Sequence, residues 1–280
     1  MSTDAAPYTR QRWDGLRRFT DARIALGRAG HSLPTAAHLQ FQLAHAQARD
    51  AVHVPLDTDH VIQGLQAQRF QTLMLHSAAP NRHVYLQRPD LGRRLNEASC
   101  RTLEARRERQ LQRHRAQEPL AAAPDVCFVV ADGLSALAIH SHATEFLQCL
   151  LPHLQRDANP WRVANPWRVA PVCIVEQGRV AIGDDIGERL AAQLVVVLIG
   201  ERPGLSSPDS MGIYLTWAPR VGCTDAQRNC ISNVRGAGLA SQAAALQLYQ
   251  LMSQARSLKL TGVGLKVDAE VEMLTLDAAA

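Results

Sequence analysis

The feature that most constrains this chain is a set of short, unbroken apolar runs. Val126–Ala131, Val172–Val175 and Leu194–Ile199 are rich in valine and show none of the polar alternation of a half-solvated strand. A run of that length bounded by turn residues reads as a strand buried on both faces. The segments between them, from about Leu134 to Leu151 and over Ile186–Gln193, are longer and helical in character. Buried strands alternating with helices predict an α/β fold, doubly wound around a mainly parallel sheet with helices on both faces. Ile213–Trp217 is a further strand candidate. A long amphipathic helix carrying Leu239, Ala243, Leu246, Tyr249, Met252 and Leu258 follows it.

The first half reads instead as helical pieces joined by short connectors. Ser32 and Thr35 around Pro34 are a helix-start signal, after which Leu39, Leu43 and Ala46 share one face at helical spacing until Pro55. A second helix is expected from about Leu91 to Gln117, with a narrow apolar stripe of Leu95, Leu103 and Leu111. The alanine-rich segment Ala121–Pro124 marks the boundary, giving an N-terminal helical region over 1–120 and a sheet domain over 121–280. A tandem hexamer, Ala158–Val163 repeated as Ala164–Val169, is expected to be a surface insertion before the strand at Val172.

Composition removes several function classes. The longest apolar run is far shorter than the roughly 20 residues that cross a bilayer, and Met1 to Asp14 has no apolar core resembling a secretory signal. A cytoplasmic protein is expected. The six cysteines include no CxxC pair and are expected to be free thiols, with Cys127 and Cys173 buried in strands. Ten arginines between Arg82 and Arg115 face only four carboxylates, but the scarcity of aromatic residues for base stacking argues for a solvated or partner-facing helix and against nucleic acid.

Catalytic and cofactor signatures are mostly missing. A dinucleotide fingerprint requires three glycines so that backbone amides approach a pyrophosphate. Here Gly262 and Gly264 are followed by Val267 where the third should stand. The phosphate loop GxxxxGK[ST] is absent too, which weighs against a stand-alone α/β enzyme with a nucleotide cofactor. Ser135 follows a strand, but Leu137 occupies the second glycine of a nucleophile elbow, so Ser135 reads as a cap. The pairs His140/His142 and His38/His45 lack the spacing of a helical zinc site. Three polar, glycine- and proline-containing stretches remain beside the apolar strands: Gln177–Gly187, Gly200–Ser210 and Trp217–Arg235. Turns of this kind are where rigid α/β scaffolds place binding groups.

Those stretches, with ARIALGRAG at Ala22–Gly30, SLPT at Ser32–Thr35, RPDLGR at Arg88–Arg93, DVCFVVADGLSA at Asp125–Ala136 and GVGLK at Gly262–Lys266, resemble the small subunit (light chain) of ethanolamine ammonia-lyase. The resemblance implies a Rossmann-like subunit bound to a larger, barrel-shaped catalytic subunit, with adenosylcobalamin held between the two. It implies cobalamin contacts at Val180 in QGRVAIGDD, Glu201 in GERPGL and Cys230 in RNCISN, with Asp184, Asp185 and Arg202 as neighbours. No catalytic residue and no protein metal ligand are implied in this chain. The string Asp-x-His-x-x-Gly, which replaces the lower base of cobalt in some cobalamin enzymes, does not occur. The activity implied for the complex is radical conversion of ethanolamine to acetaldehyde and ammonia, in the cytoplasm or within a bacterial microcompartment.

Overall fold

A computed structural model describes residues 9, 11–20, 22–115, 123–155 and 166–265. Six strands form one sheet: β1 (Thr72–His76), β2 (Val126–Ala131), β3 (Val172–Glu176), β4 (Leu194–Gly200), β5 (Met211–Trp217) and β6 (Arg228–Val234). Their order is β1-β3-β2-β4-β5-β6. The pairings from β1 to β4 are parallel, whereas β4 with β5 and β5 with β6 are antiparallel. The sheet is therefore mixed, parallel in three of its five pairings as expected from the sequence and antiparallel in the other two. The reason lies in the connections, since a parallel pairing needs a crossover of a dozen or more residues. The links from β4 to β5 and from β5 to β6 carry no α-helix among the described residues.

Among the described residues, seven α-helices accompany the strands: α1 (Thr35–His53), α2 (Thr58–Ala67), α3 (Arg82–Gln87), α4 (Glu97–Arg115), α5 (Ala136–Gln155), α6 (Ile182–Arg189) and α7 (Ser241–Leu258). Two apolar layers result from the period-2 alternation of the strands. One gathers Val126, Phe128, Val130, Ile174 and Val196 against α5 and α7. The other gathers Cys127, Val129, Cys173, Val195 and Val197 against α6 and α4. The central strands β2 and β4 are buried at every position, as their unbroken apolar sequence requires.

Three local readings change. The first half is not wholly helical, because Thr72–His76 supplies the edge strand β1 beside β3. Part of the stretch Trp217–Arg235, read as a polar loop, is strand β6. Of the duplicated hexamer, Ala158–Asn165 lies outside the described residues, while the end of the second copy is built into the body. Trp167 is buried with the Arg256 guanidinium 4.6 Å over its ring, and Arg168 makes a bidentate pair with buried Asp125.

Several arginines of the basic stretch are likewise committed internally. Arg82 Nε donates to the Val52 carbonyl at 2.6 Å, and Arg88 and Arg101 pair locally with Asp90 and Glu97. No described helix is long and apolar enough to cross a membrane. All six cysteines are free thiols.

Candidate functional site

The carboxyl ends of the parallel strands carry the polar turns. Gly133, at φ +57°, ends β2 with its Cα packed on the Gly200 backbone, and the Leu134 amide donates to the Gly200 carbonyl at 2.9 Å. A Cβ on Gly200 would run into the Ser135 carbonyl. This contact closes the turn after β2 against the end of β4, and the next residue, Glu201, extends the pairing with β5 by donating its amide to the Ser210 carbonyl at 2.9 Å. Ser135 Oγ caps α5 by accepting from the Ala138 amide and donates to the Pro208 carbonyl, so it is a structural serine.

Glu201 is half-buried and its two carboxylate oxygens are used unequally. Oε2 accepts from Ser210 Oγ at 2.5 Å and from the Asn233 amide at 3.3 Å. Among the described residues Oε1 accepts no hydrogen bond. Beside it lies Gly212, whose missing side chain leaves the Glu201 carboxylate 3.0 Å from where a Cβ would stand. Two positions along β5 is Tyr214, paired across the strands with Cys230 of β6. Tyr214 and Cys230 are neighbours across the two strands, and the Glu201 charge acts on both. Burial raises the Tyr214 phenol, reinforced by the neighbouring thiol. The Cys230 thiol is raised by desolvation, lowered by the adjacent Tyr214 hydroxyl and raised again by Glu201. At neutral pH both groups are therefore protonated and neutral.

Val180 enters from the turn between β3 and α6 and packs against the same apolar layer as Tyr214. Glu201 and Cys230 thus both neighbour Tyr214, and Val180 lies on the same side of the sheet. Helix α6 covers this side of the sheet over β4, where Gly183 meets Val195 and Val197. Over β5 and β6 no described helix makes more than slight contact on that side, since α7 packs on the opposite layer. Cys230 is accordingly exposed.

Two side-chain networks hold this patch. Asp184 of α6 and Arg228 of β6 form a bidentate pair, both distances 2.6 Å, with each side chain only 2% exposed. Arg228 also donates to Thr216 Oγ1 and the Cys223 carbonyl. The second network fixes the turn before Val180. The Gly178 amide donates to Asp132, the Tyr85 hydroxyl donates to the Gly178 carbonyl, and the Arg179 amide donates to the Gly92 carbonyl. Tyr85 is fully buried between the Arg82 and Arg179 guanidiniums, 4.8 and 4.4 Å from its ring.

Of the neighbours named from sequence, Asp184 is structural, and Asp185 accepts from Arg189 and from the Leu95 amide. Arg202 is exposed. Tyr214, Arg82, Tyr85 and Asp132 were not singled out by sequence reasoning. No group of histidines, cysteines and carboxylates suited to a metal occurs among the described residues.

These features define an α/β protein with a mixed sheet and its polar groups gathered beside an uncovered patch, not around a nucleotide-phosphate loop. Comparison with known proteins narrows the class to one family, matched over residues 10–266 by the family model described as "Ethanolamine ammonia-lyase light chain (EutC)". The chain belongs to that family. It is 54% identical over 272 residues to an ethanolamine ammonia-lyase small subunit of Azotobacter vinelandii, a match covering 97% of this chain and 94% of the relative. The corresponding small subunit of Pseudomonas paraeruginosa is 55% identical over 266 residues, covering 95% and 91%. That of Xanthomonas campestris pv. campestris is 52% identical over 282 residues, covering 100% and 96%. The chain is thus of a family whose members are parts of a lyase.

Proposed function

We propose that this chain is the non-catalytic small subunit of an adenosylcobalamin-dependent ethanolamine ammonia-lyase, completing the coenzyme site against a larger subunit that carries the substrate. The observation that supports the reading is the placement of Glu201 beside Tyr214, the cross-strand partner of Cys230, on the side of the sheet to which Val180 also packs. Such a patch suits a broad, amide-rimmed ring. Glu201 Oε1 is an acceptor with its bonding capacity free, and amide N–H groups donating to a carboxylate form the stronger, charge-assisted kind of hydrogen bond. Val180 offers apolar contact, and the neutral Cys230 thiol packs rather than reacts.

Adenosylcobalamin, when bound, supplies the radical chemistry that turns ethanolamine into acetaldehyde and ammonia. The residues of this chain bind and orient. Glu201 fixes one edge of the coenzyme, while the Asp184–Arg228 pair keeps the β6 face in register with the turn carrying Val180. In this reading residues 1–120 contact the large subunit and 121–280, the Rossmann-like part, contact the coenzyme. The complex works in the cytoplasm, either free or within a protein-shelled microcompartment.

Mixing large subunit, adenosylcobalamin and ethanolamine should give turnover only when this chain is added; equal turnover in both tubes ends the proposal. In the assembled complex, Glu201→Ala is expected to raise the coenzyme Kd about tenfold, the scale of one charge-assisted hydrogen bond. Glu201→Gln, which retains an acceptor oxygen, should have a smaller effect. An unchanged Kd in Glu201→Ala would remove Glu201 from the site.

A further inference from the structure

The helical face that the sequence offers to a core is not the face this chain buries. Along α1 the positions turned toward the body include Ala37, Ala44, Ala48 and Ala51, a strip of small side chains at helical spacing. At 3.6 residues per turn, Leu39 lies about 150° and Leu43 about 110° around the helix from the middle of that strip. They are 57% and 60% exposed. A helix apolar on two opposing sides is normally covered on both, and here only the alanine side is.

The exposure is also concentrated. Seven of the thirteen exposed large hydrophobic side chains among the described residues fall between Trp13 and Leu43. A segment this rich in exposed apolar side chains, unlike a scattered surface leucine, points to an interaction site. It carries a positive charge bias, with six arginines against three aspartates between Gln11 and His53.

Its position ties it to the coenzyme patch. Leu43 and Arg23 line a cavity of about 650 Å³ together with Leu205. Arg23 Nη2 donates to the Leu205 carbonyl at 3.2 Å. Leu205 belongs to the loop that begins with Glu201, so the cavity, lined from α1 by Ala37 and Ala44 as well as Leu43, places this helix beside the loop assigned to the coenzyme.

We infer that the outward face of α1, with the arginine-rich segment before it, is the seat of the large subunit, fitting an apolar groove rimmed by carboxylates. The inference rests on the proposed role as a small subunit and adds which surface docks and what chemistry the partner presents. A second copy of this chain is the weaker occupant, because a two-fold contact would set its arginines against one another, and like charges across an interface cost affinity.

The test uses the full chain and purified large subunit. Leu39→Glu with Leu43→Glu should leave the unfolding midpoint unchanged, because both side chains are mostly solvated, and should weaken large-subunit binding at least about 30-fold. Leu39→Ala with Leu43→Ala, which cannot disturb the helix, should weaken it less but measurably. Wild-type affinity should also fall between 0.1 and 0.5 M salt. Equal affinity of wild type and both variants overturns the inference. So does a result in which the variants lose only self-association, seen by sedimentation, while large-subunit binding stays intact. If the wild-type chain itself fails to bind, the small-subunit reading fails instead.

Discussion

Replacing Asp184 by alanine is expected to destabilise the chain by about 3–5 kcal/mol, the cost of leaving one member of a buried ion pair without its counter-charge. Both side chains are only 2% exposed, and the other carboxylate near Arg228, Asp225 at 3.6 Å from Nε, is fully solvated, so it replaces little of what Asp184 supplies. Burial raises the Asp184 carboxyl above its usual range even with Arg228 alongside, whereas Asp184 holds the Arg228 guanidinium above its own, so desolvation offsets much of the attraction between them. The pair is therefore not a large net source of stability, but breaking it is costly. The distinction can be measured by denaturant unfolding of the single variant and of Asp184→Ala with Arg228→Met. Removing both charges should recover at least half of the loss. A single-variant cost below about 1 kcal/mol, or a double variant as unstable as the sum of the two singles, would refute this account. Because Asp184 starts α6 and Arg228 starts β6, the same variant should loosen Cys230 relative to Val180 and weaken coenzyme binding beyond its effect on folding.

The legible parts of the fold were those where burial leaves no choice. Strands β2 and β4 are covered on both faces, so every residue is apolar and the run is visible without context. Strand β6 hides in RNCISNV because only Arg228, Ile231 and Val234 are buried, and one of those is a charged residue satisfied by Asp184. Strand β1 hides for a similar reason, being an edge with Leu75 as its only buried residue. In α1 the leucine stripe was readable but its direction was not, since nothing in a 3.6-residue period says whether a core or another protein lies opposite.

The site divides along the same line. The turns after β3 and β4 were expected to carry binding groups because ligands gather at the carboxyl ends of strands. The particular residues Val180, Glu201 and Cys230 came from family resemblance. Tyr214, which links Glu201 to Cys230, sits inside a strand and carries no local signal. The clasp of Arg82, Tyr85 and Asp132 joins residues about 50 positions apart, a distance only the folded chain closes.

That clasp leads to the prediction with the clearest pH signature. Asp132 is 2% exposed and its carboxyl is pushed up to about 6 by burial, against the opposing pull of Arg82 and the backbone amides of Gln177, Gly178 and Gly133. In the unfolded chain the same group titrates near 3.9. The folded state therefore holds this proton to higher pH than the unfolded state does, and stability contributed at Asp132 falls as pH rises from about 4 to about 6. A separation of about two pH units corresponds to a loss on the order of 2–3 kcal/mol. Asp132→Asn keeps an oxygen to accept from the Gly178 amide but cannot ionise. Its unfolding free energy relative to wild type should rise by that amount between pH 4 and pH 7. Comparing the two proteins at each pH cancels carboxylates such as Asp125, whose ion pair with Arg168 lowers its pKa and acts in the opposite sense. A pH-independent difference between variant and wild type would mean that Asp132 is already ionised at pH 4 and that the Arg82 clasp is a fully formed ion pair throughout.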